Sequence, residues 1–465
     1  MITKNLFSEF QPISTKQWKQ QIQFDLKGAD YNETLVWESP EGIKVKPFYN
    51  SDDIQENSFD IKTKATEFKI LQNIFVHDVA KSNKRALTTL SRGAEQIRFT
   101  ITDETISVSD LMINLPLHDV SYFFNLTFLS INFVKNLIDF AAVNKATFYI
   151  QNDPINNLVT SGNWHQTLEK DFENVKLIHD YAAEVASTDK TFLTSTLSCK
   201  STIYQNAGAN STQQLAYTMA HINEYFNLIP NISQPIVIEV AIGTNYFFEI
   251  AKIRAFRLLF KTLAQQYNHQ FDCHIIAMPT KRNKTIYDYN INMLRTTTEC
   301  MSAILGGADS ITNLSYDNLY HKDNEFGDRI ARNQLLILKE ESYFNKVNNP
   351  VDGAYYIEIL TNQLADTALQ LFKEIEAKDG FIEQLKKGTI QKKIYESAQK
   401  EQNLFNSGAE ILLGTNKHPN KNDRMKNDLE LHPFAKFSTQ KTLIIPIVAT
   451  RLAEKMEQER LAEEQ

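Results

Sequence analysis

The stretch EFGDRIARNQLLILKEESYFNKVNNPVDGAYYIEILTNQLA, residues 325–365, carries the pattern that decides the fold. Phe326, Ile330, Leu335 and Leu338 are the apolar positions of a helix, and the pair Glu340-Glu341 reads as its solvated end. A polar loop with Pro350 and Gly353 follows, then a short strand-like run over residues 354–357. Thr361 is placed to cap a second amphipathic helix from Asn362. Helix, polar loop, short strand and helix make one segment of a β/α alternation.

Upstream, the same plan repeats from about residue 80. A helix over residues 84–92 stops at Gly93, and residues 96–101 alternate like a strand. Further strand-like runs lie at 122–127, 146–151, within 192–203, and at 235–241, 271–278 and 310–314. Helical patterns separate them: one through Val134 and Leu137, then 168–181, 212–228, 247–267 and 292–305. About eight strand candidates over roughly 280 residues predict a (β/α)8 TIM barrel, a fold that usually takes about 250. A doubly wound open sheet fits less well, because no glycine-rich phosphate loop follows the first strand.

The expected organisation is an N-terminal arm over residues 1–80, a barrel over 81–380 and a C-terminal extension over 381–465. Phe7, Phe10, Trp18, Leu26, Trp37 and Phe48 are scattered along the arm, either to pack on its own barrel or to anchor a partner subunit. In the extension, residues 408–414 read as a short strand and 417–426 as an Asn- and Lys-rich loop. The charged helix 450–463 is expected to lie on the surface or fray.

Composition narrows the function classes. The 465 residues, 42% hydrophobic and 23% charged, are those of a globular protein with room for a large core. The longest late apolar run, 443–449, is broken by Pro446 and is far short of the roughly 18 residues of a membrane span. The N-terminus has no apolar signal core, and Glu9 and Asp25 argue against a transit peptide, so a cytoplasmic protein is expected. Cys199, Cys273 and Cys300 are odd in number and widely spaced, which supports neither a disulfide framework nor a zinc site. A net charge of −7 without a basic block argues against nucleic acid as a partner.

Three runs bear on chemistry. Gln151-Asn152-Asp153 ends a strand at the mouth where barrel sites gather, either to bind a ligand or to cap a turn. Period two places Val237, Glu239 and Ala241 on one strand face, toward the lumen. A structural ion pair is the favoured role for Glu239, with Arg98 or Arg295 as its mate, over a catalytic acid. Asp272-Cys273-His274 resembles the start of a cobalt-ligating D-x-H-x-x-G motif, but Ala277 stands where glycine is needed. No metal site is expected, and the residues alone lead only to a barrel protein of unassigned activity.

Six segments resemble the methylmalonyl-CoA mutase family: YIQNDPINNL (149–158), YQNAGANSTQQLAYTMAHINEY (204–225), NYFFEIAKIRAFRLLF (245–260), NKTIYDYNINMLRTTTECMSAILGGAD (283–309), residues 325–365, and SGAEILLGTNKHP (407–419). The resemblance implies a barrel through which, in catalytic members, an acyl-CoA threads along the axis. It also implies where this chain departs. Catalytic members carry a Tyr-His pair where Thr202 and Ile203 stand, the histidine near the thioester carbonyl. They have a carboxylate-binding arginine at the position of Ser161, and a site glutamine at that of Tyr287. No counterpart of the family's flavodoxin-like cobalamin-binding domain is read in this sequence.

The chain therefore resembles the small subunit of the bacterial heterodimeric members. That likeness implies a large-subunit partner that binds adenosylcobalamin and converts methylmalonyl-CoA to succinyl-CoA, no cofactor on this chain, and no membrane partner. Catalytic residues are expected to be none. Gln151, Tyr204, Gln205 and Arg295 are the candidates for a vestigial lumen site. The alternatives are the barrel subunit of a split mutase for another acyl-CoA, or a stand-alone binding or scaffold barrel.

Overall fold

The computed structural model describes residues 8–54, 61, 63–188, 194–229, 232–437 and 440–464. Its centre is a barrel of parallel strands: β1 (Lys69–Val76), β2 (Gln96–Ile101), β3 (Ser121–Leu126), β4 (Phe148–Gln151), β5 in two pieces (Thr194–Ser195 and Leu197–Lys200), β6 (Ile236–Ile242), β7 (His274–Pro279) and β8 (Ser310–Ile311). The first piece of β5 pairs with β4 and the second with β6, while β8 pairs with β1, so the ring comes round on itself. This is the expected (β/α)8 TIM barrel.

Each strand leads to a helix on the outside: α1 (Val79–Ser91), α2 (Val108–Leu111), α3 (Ile131–Asn144), α4 (Leu168–Thr188), α5 (Ser211–Leu228), α6 (Tyr246–Gln266), α7 (Ile291–Gly306) and α8 (Glu325–Leu336). Local chemistry sets their starts. The side chains of Asp78, Ser130 and Asn324 accept from backbone N–H groups in the first turns of α1, α3 and α8. Asn210 and Gln213 form a capping box at α5. Gly93, at φ +96° after α1, takes the left-handed turn that side chains disfavour.

The strands' outward residues meet these helices in an apolar shell. Ile97, Phe99 and Ile101 of β2 and Tyr122, Phe124 and Leu126 of β3 lie with Val134, Leu137 and Ile138 of α3. Burying side chains of this size is worth about 1.5–3 kcal/mol each, which fixes which strand face turns out.

Several expectations need correction. Residues 354–357 are not a strand: Ala354 is the cap and Tyr355–Glu376 a long helix, α9. The preceding loop is held by Arg254 of α6, whose buried guanidinium pairs with Asp352 and, at 2.7 Å, with Glu358. Strand β1 lies within the residues read as the arm, and residues 408–414 form turns with a single bridge at Leu413. The expected strand start at 192–193, and Phe7 of the arm, lie outside the described residues.

The last helix, Glu454–Glu463, does not fray. Its Glu457 is buried, accepts from Ile286 N–H at 2.9 Å and pairs with Arg451 at 2.7 Å. Polar atoms fixed by partners hold this helix where apolar residues are few. Before it, residues 442–452 run as a strap over the carboxyl-terminal loops of the barrel. Ile444 and Ile447 donate to the carbonyls of Gly162 and Val159, Thr450 to that of Asn206, and Leu452 to that of Arg282.

Candidate functional site

The lumen is the candidate site, and its inward residues follow the two-residue period of the strands. At one level Leu71, Phe123, Tyr149, Val237 and Ile276 form an apolar cluster. Phe123 stacks on Tyr149 with centroids 4.5 Å apart, and His274 lies 5.3 Å from Phe123 and 4.8 Å from Tyr149. His274 bonds to Ser310 Oγ at 2.8 Å, and burial lowers its pKa. Nearer the mouth, Arg98 pairs with Glu239 at 2.8 Å, and Gln151 donates to the same carboxylate at 2.7 Å. Asn73 accepts from Arg98 Nε at 2.8 Å and donates to Thr312 at 3.0 Å.

Strands two and six are opposite one another in a ring of eight, as are three and seven. Arg98–Glu239 and Phe123–His274 are therefore contacts across the axis, at two successive levels. The structural ion pair expected for Glu239 is present, and of the two mates considered it is Arg98.

The four candidate residues do not converge. Gln151 is in the lumen, as expected. Tyr204 and Gln205 sit on the short helix Thr202–Asn206 beyond β5. Tyr204 turns to the outer layer, its hydroxyl 3.0 Å from His221 Nδ1 and its ring against Phe381. Gln205 lies over the end of β6, against Gly243, Glu249 and Lys252. Arg295, on α7, donates to Asn292 and to the Leu413 carbonyl. Tyr204, Gln205 and Arg295 are thus outside the lumen, because their elements start past the strand ends and offer buried partners to the outer layer.

The QND run does both of the jobs foreseen for such residues. While Gln151 points inward, Asp153 caps the helix Pro154–Ser161. The Asp153 carboxylate also accepts from Tyr225 at 2.7 Å, from Lys200 N–H at 2.7 Å and contacts His221 Nε2 at 2.9 Å. Burial works to raise its pKa, but His221 and the neighbouring donors hold it below the usual carboxylate range. This network ties β4 and β5 to α5.

The positions of departure are occupied by structure. Ile203 packs against the main core. Ser161 donates to the carbonyls of Asn157 and Asn163. Tyr287 donates to Glu464 at 2.5 Å beneath the Arg460 guanidinium, which is 3.9 Å from its ring centre. The residues of the D-x-H run do not fit cobalt ligation: His274 faces the lumen, while Asp272 is outside and pairs with Arg257 at 3.5 Å. Among the described residues no group of three or more His, Cys, Asp and Glu is placed to hold a metal ion, and no helix is long and apolar enough to cross a membrane.

Sequence reasoning missed Lys200. It pairs in register with Glu239, so it shares the lumen face, and its position at the end of a strand was the available signal.

Comparison with known proteins places these features. The family profile described as methylmalonyl-CoA mutase matches residues 104–463. The chain is 34% identical to the methylmalonyl-CoA mutase small subunit of Porphyromonas gingivalis, over 90% of this chain and 71% of that one. It is 27% identical to the methylmalonyl-CoA mutase of Rhizobium meliloti, with 95% and 69% covered. For the mitochondrial methylmalonyl-CoA mutase of Homo sapiens the identity is 25%, with 90% and 62% covered. On this match, and with its barrel, the chain belongs to the methylmalonyl-CoA mutase family of isomerases.

Proposed function

We propose that this chain is the non-catalytic small subunit of a cobalamin-dependent methylmalonyl-CoA mutase. Adenosylcobalamin and the isomerisation of methylmalonyl-CoA to succinyl-CoA then belong to a large subunit, with which this chain forms a cytoplasmic heterodimer. The observation that carries the reading is the pair of cross-axis contacts, Arg98–Glu239 and Phe123–His274, which stand on the line an acyl-CoA follows in catalytic members. Ile203 adds to it, since an isoleucine can neither donate a hydrogen bond to a thioester nor transfer a proton. Ser161 brings no positive charge for a substrate carboxylate. Gln151, Tyr204, Gln205 and Arg295 are then remnants of a family site, the last three turned to partners outside the lumen and Gln151 donating to Glu239.

The arm, expected over residues 1–80 but ending where β1 begins at Lys69, is the proposed contact with the large subunit, beside the barrel and the extension over 381–465. Phe10, Ile13 and Phe24 of the arm are each more than 70% exposed, which suits anchors for a partner. An obligate interface of this kind buries on the order of 2,000 Å² or more.

The test is co-expression with the candidate large subunit, tagging only this chain. A one-to-one complex whose mutase activity requires both chains and cobalamin is the expected result, and Ile203→His in this chain adds no activity. Isomerisation of an acyl-CoA by this chain and cobalamin alone would overturn the proposal.

A further inference from the structure

Above the Arg98–Glu239 pair the lumen residues change in character. Arg98, Gln151 and Glu239 are buried, whereas Thr100, Asn125, Lys200 and Met278 keep part of their surface accessible. By the period of their strands all seven face inward, so the buried three are the floor of a cup and the other four its wall. The cup opens at the end of the barrel where loops from several strands meet.

Its polar groups are incompletely matched. Asn125 donates to Thr100 Oγ1 at 3.2 Å and Gln151 donates to Glu239, yet the carbonyl oxygens of both amides are buried and accept from nothing among the described residues. Lys200 Nζ makes no hydrogen bond to any described residue. Two acceptors without donors and a cation without an acceptor thus come from three neighbouring strands, β3, β4 and β5. The charges add to the argument. Arg98 is matched by Glu239, which leaves Lys200 as the surplus cation of the cup. Burial lowers its pKa, against the pull of Glu239 and Asp153, so an anion set beside it would favour the charged form further.

We propose that this cup binds a small carboxylate that also carries a hydroxyl or amino group. The carboxylate accepts from Lys200; a hydroxyl donates its one proton to the side-chain oxygen of Asn125, and an amino group donates to those of both Asn125 and Gln151. The Arg98–Glu239 pair closes the axis beneath the cup, so a coenzyme A arm does not pass. The site requires no second subunit, so it stands or falls separately from the heterodimer reading.

Isothermal titration calorimetry on the full-length chain tests it, with glycolate, acetate and ethylene glycol as probes. Glycolate is expected to bind, acetate at least about tenfold more weakly for want of a donor, and ethylene glycol not measurably. Lys200→Met is expected to abolish glycolate binding and Lys200→Arg to retain part of it. Asn125→Leu should bring glycolate down to the level of acetate. Circular dichroism and melting curves would establish that each variant is folded, and the arginine variant keeps the test decisive if methionine disturbs the barrel. Absence of binding by every probe, or equal binding by Lys200→Met, overturns the proposal and leaves the unmatched groups to ordered water.

Discussion

The two faces of the barrel strands are built on different rules. On β2, the outward residues Ile97, Phe99 and Ile101 join an apolar shell, while the inward Gln96 and Arg98 are buried with polar partners. Shell contacts are many and individually weak, so the helices can adjust to a lost methylene. Lumen contacts are few, directional and across the axis. Losing one partner strands a charge, and no helix can move in to cover it. The shell makes the barrel; the lumen decides whether anything passes through it.

The sharpest way to break this contrast is Glu239→Ala. It leaves the Arg98 guanidinium buried without a counter-charge, and about 3–5 kcal/mol of stability should be lost in urea unfolding. Asp352→Ala removes a partner from a buried arginine outside the lumen. Because Glu358 remains on Arg254, a loss of only about 1–3 kcal/mol is expected by the same measurement. If the two losses were equal, the difference between lumen and shell would be wrong. Replacing both lumen partners, Arg98→Met with Glu239→Leu, should cost less than Glu239→Ala alone, since the Arg98 guanidinium is then no longer stranded and only Lys200 loses an attraction.

The smallest effect concerns pH. His321 links the loop after β8 to the extension, with Nδ1 3.2 Å from Asp317 and Nε2 3.4 Å from Asp428. Burial tends to lower its pKa, but the bond to Asp317 and the nearby Asp428 carboxylate raise it above the ordinary value. The raised value means that its contribution is fully present below about pH 6.5 and is lost as pH rises through the folded-state pKa. Hydrogen exchange of residues 425–431 should therefore quicken at higher pH beyond the intrinsic base catalysis, and His321→Asn should remove that excess.

Most strands were legible because their shell faces are apolar and their lengths sufficient. Residues 96–101 and 235–241 needed only their own alternation. β1 was not legible, since Gln72 and Asn73 interrupt its apolar pattern to meet partners far away in sequence, Arg332 of α8 and Thr312 just after β8. The run Tyr355-Tyr356-Ile357 has strand-like side chains but begins a helix, its entry held by Arg254 about a hundred residues away. In the site, the period of β6 was enough to turn Glu239 inward, but it left Arg98 and Arg295 both open as its mate, and the structure pairs it with Arg98. Tyr204, Gln205 and Arg295 were misplaced because family likeness fixes their position in the chain, while burial beyond the strand ends fixes where each side chain goes. The partners of the last helix, Ile286 and Arg451, are likewise invisible to composition.

β8 consists of Ser310 and Ile311 alone, yet it is what joins β7 to β1. On the ribosome, β1 emerges early and keeps one edge unpaired until about half the chain's length has followed it. An uncovered parallel edge of that kind is open to wrong pairing. Contacts between residues so far apart in sequence also form slowly. The shortest strand of the barrel therefore governs how long the nascent chain remains vulnerable, a cost met during synthesis and absent from the finished molecule.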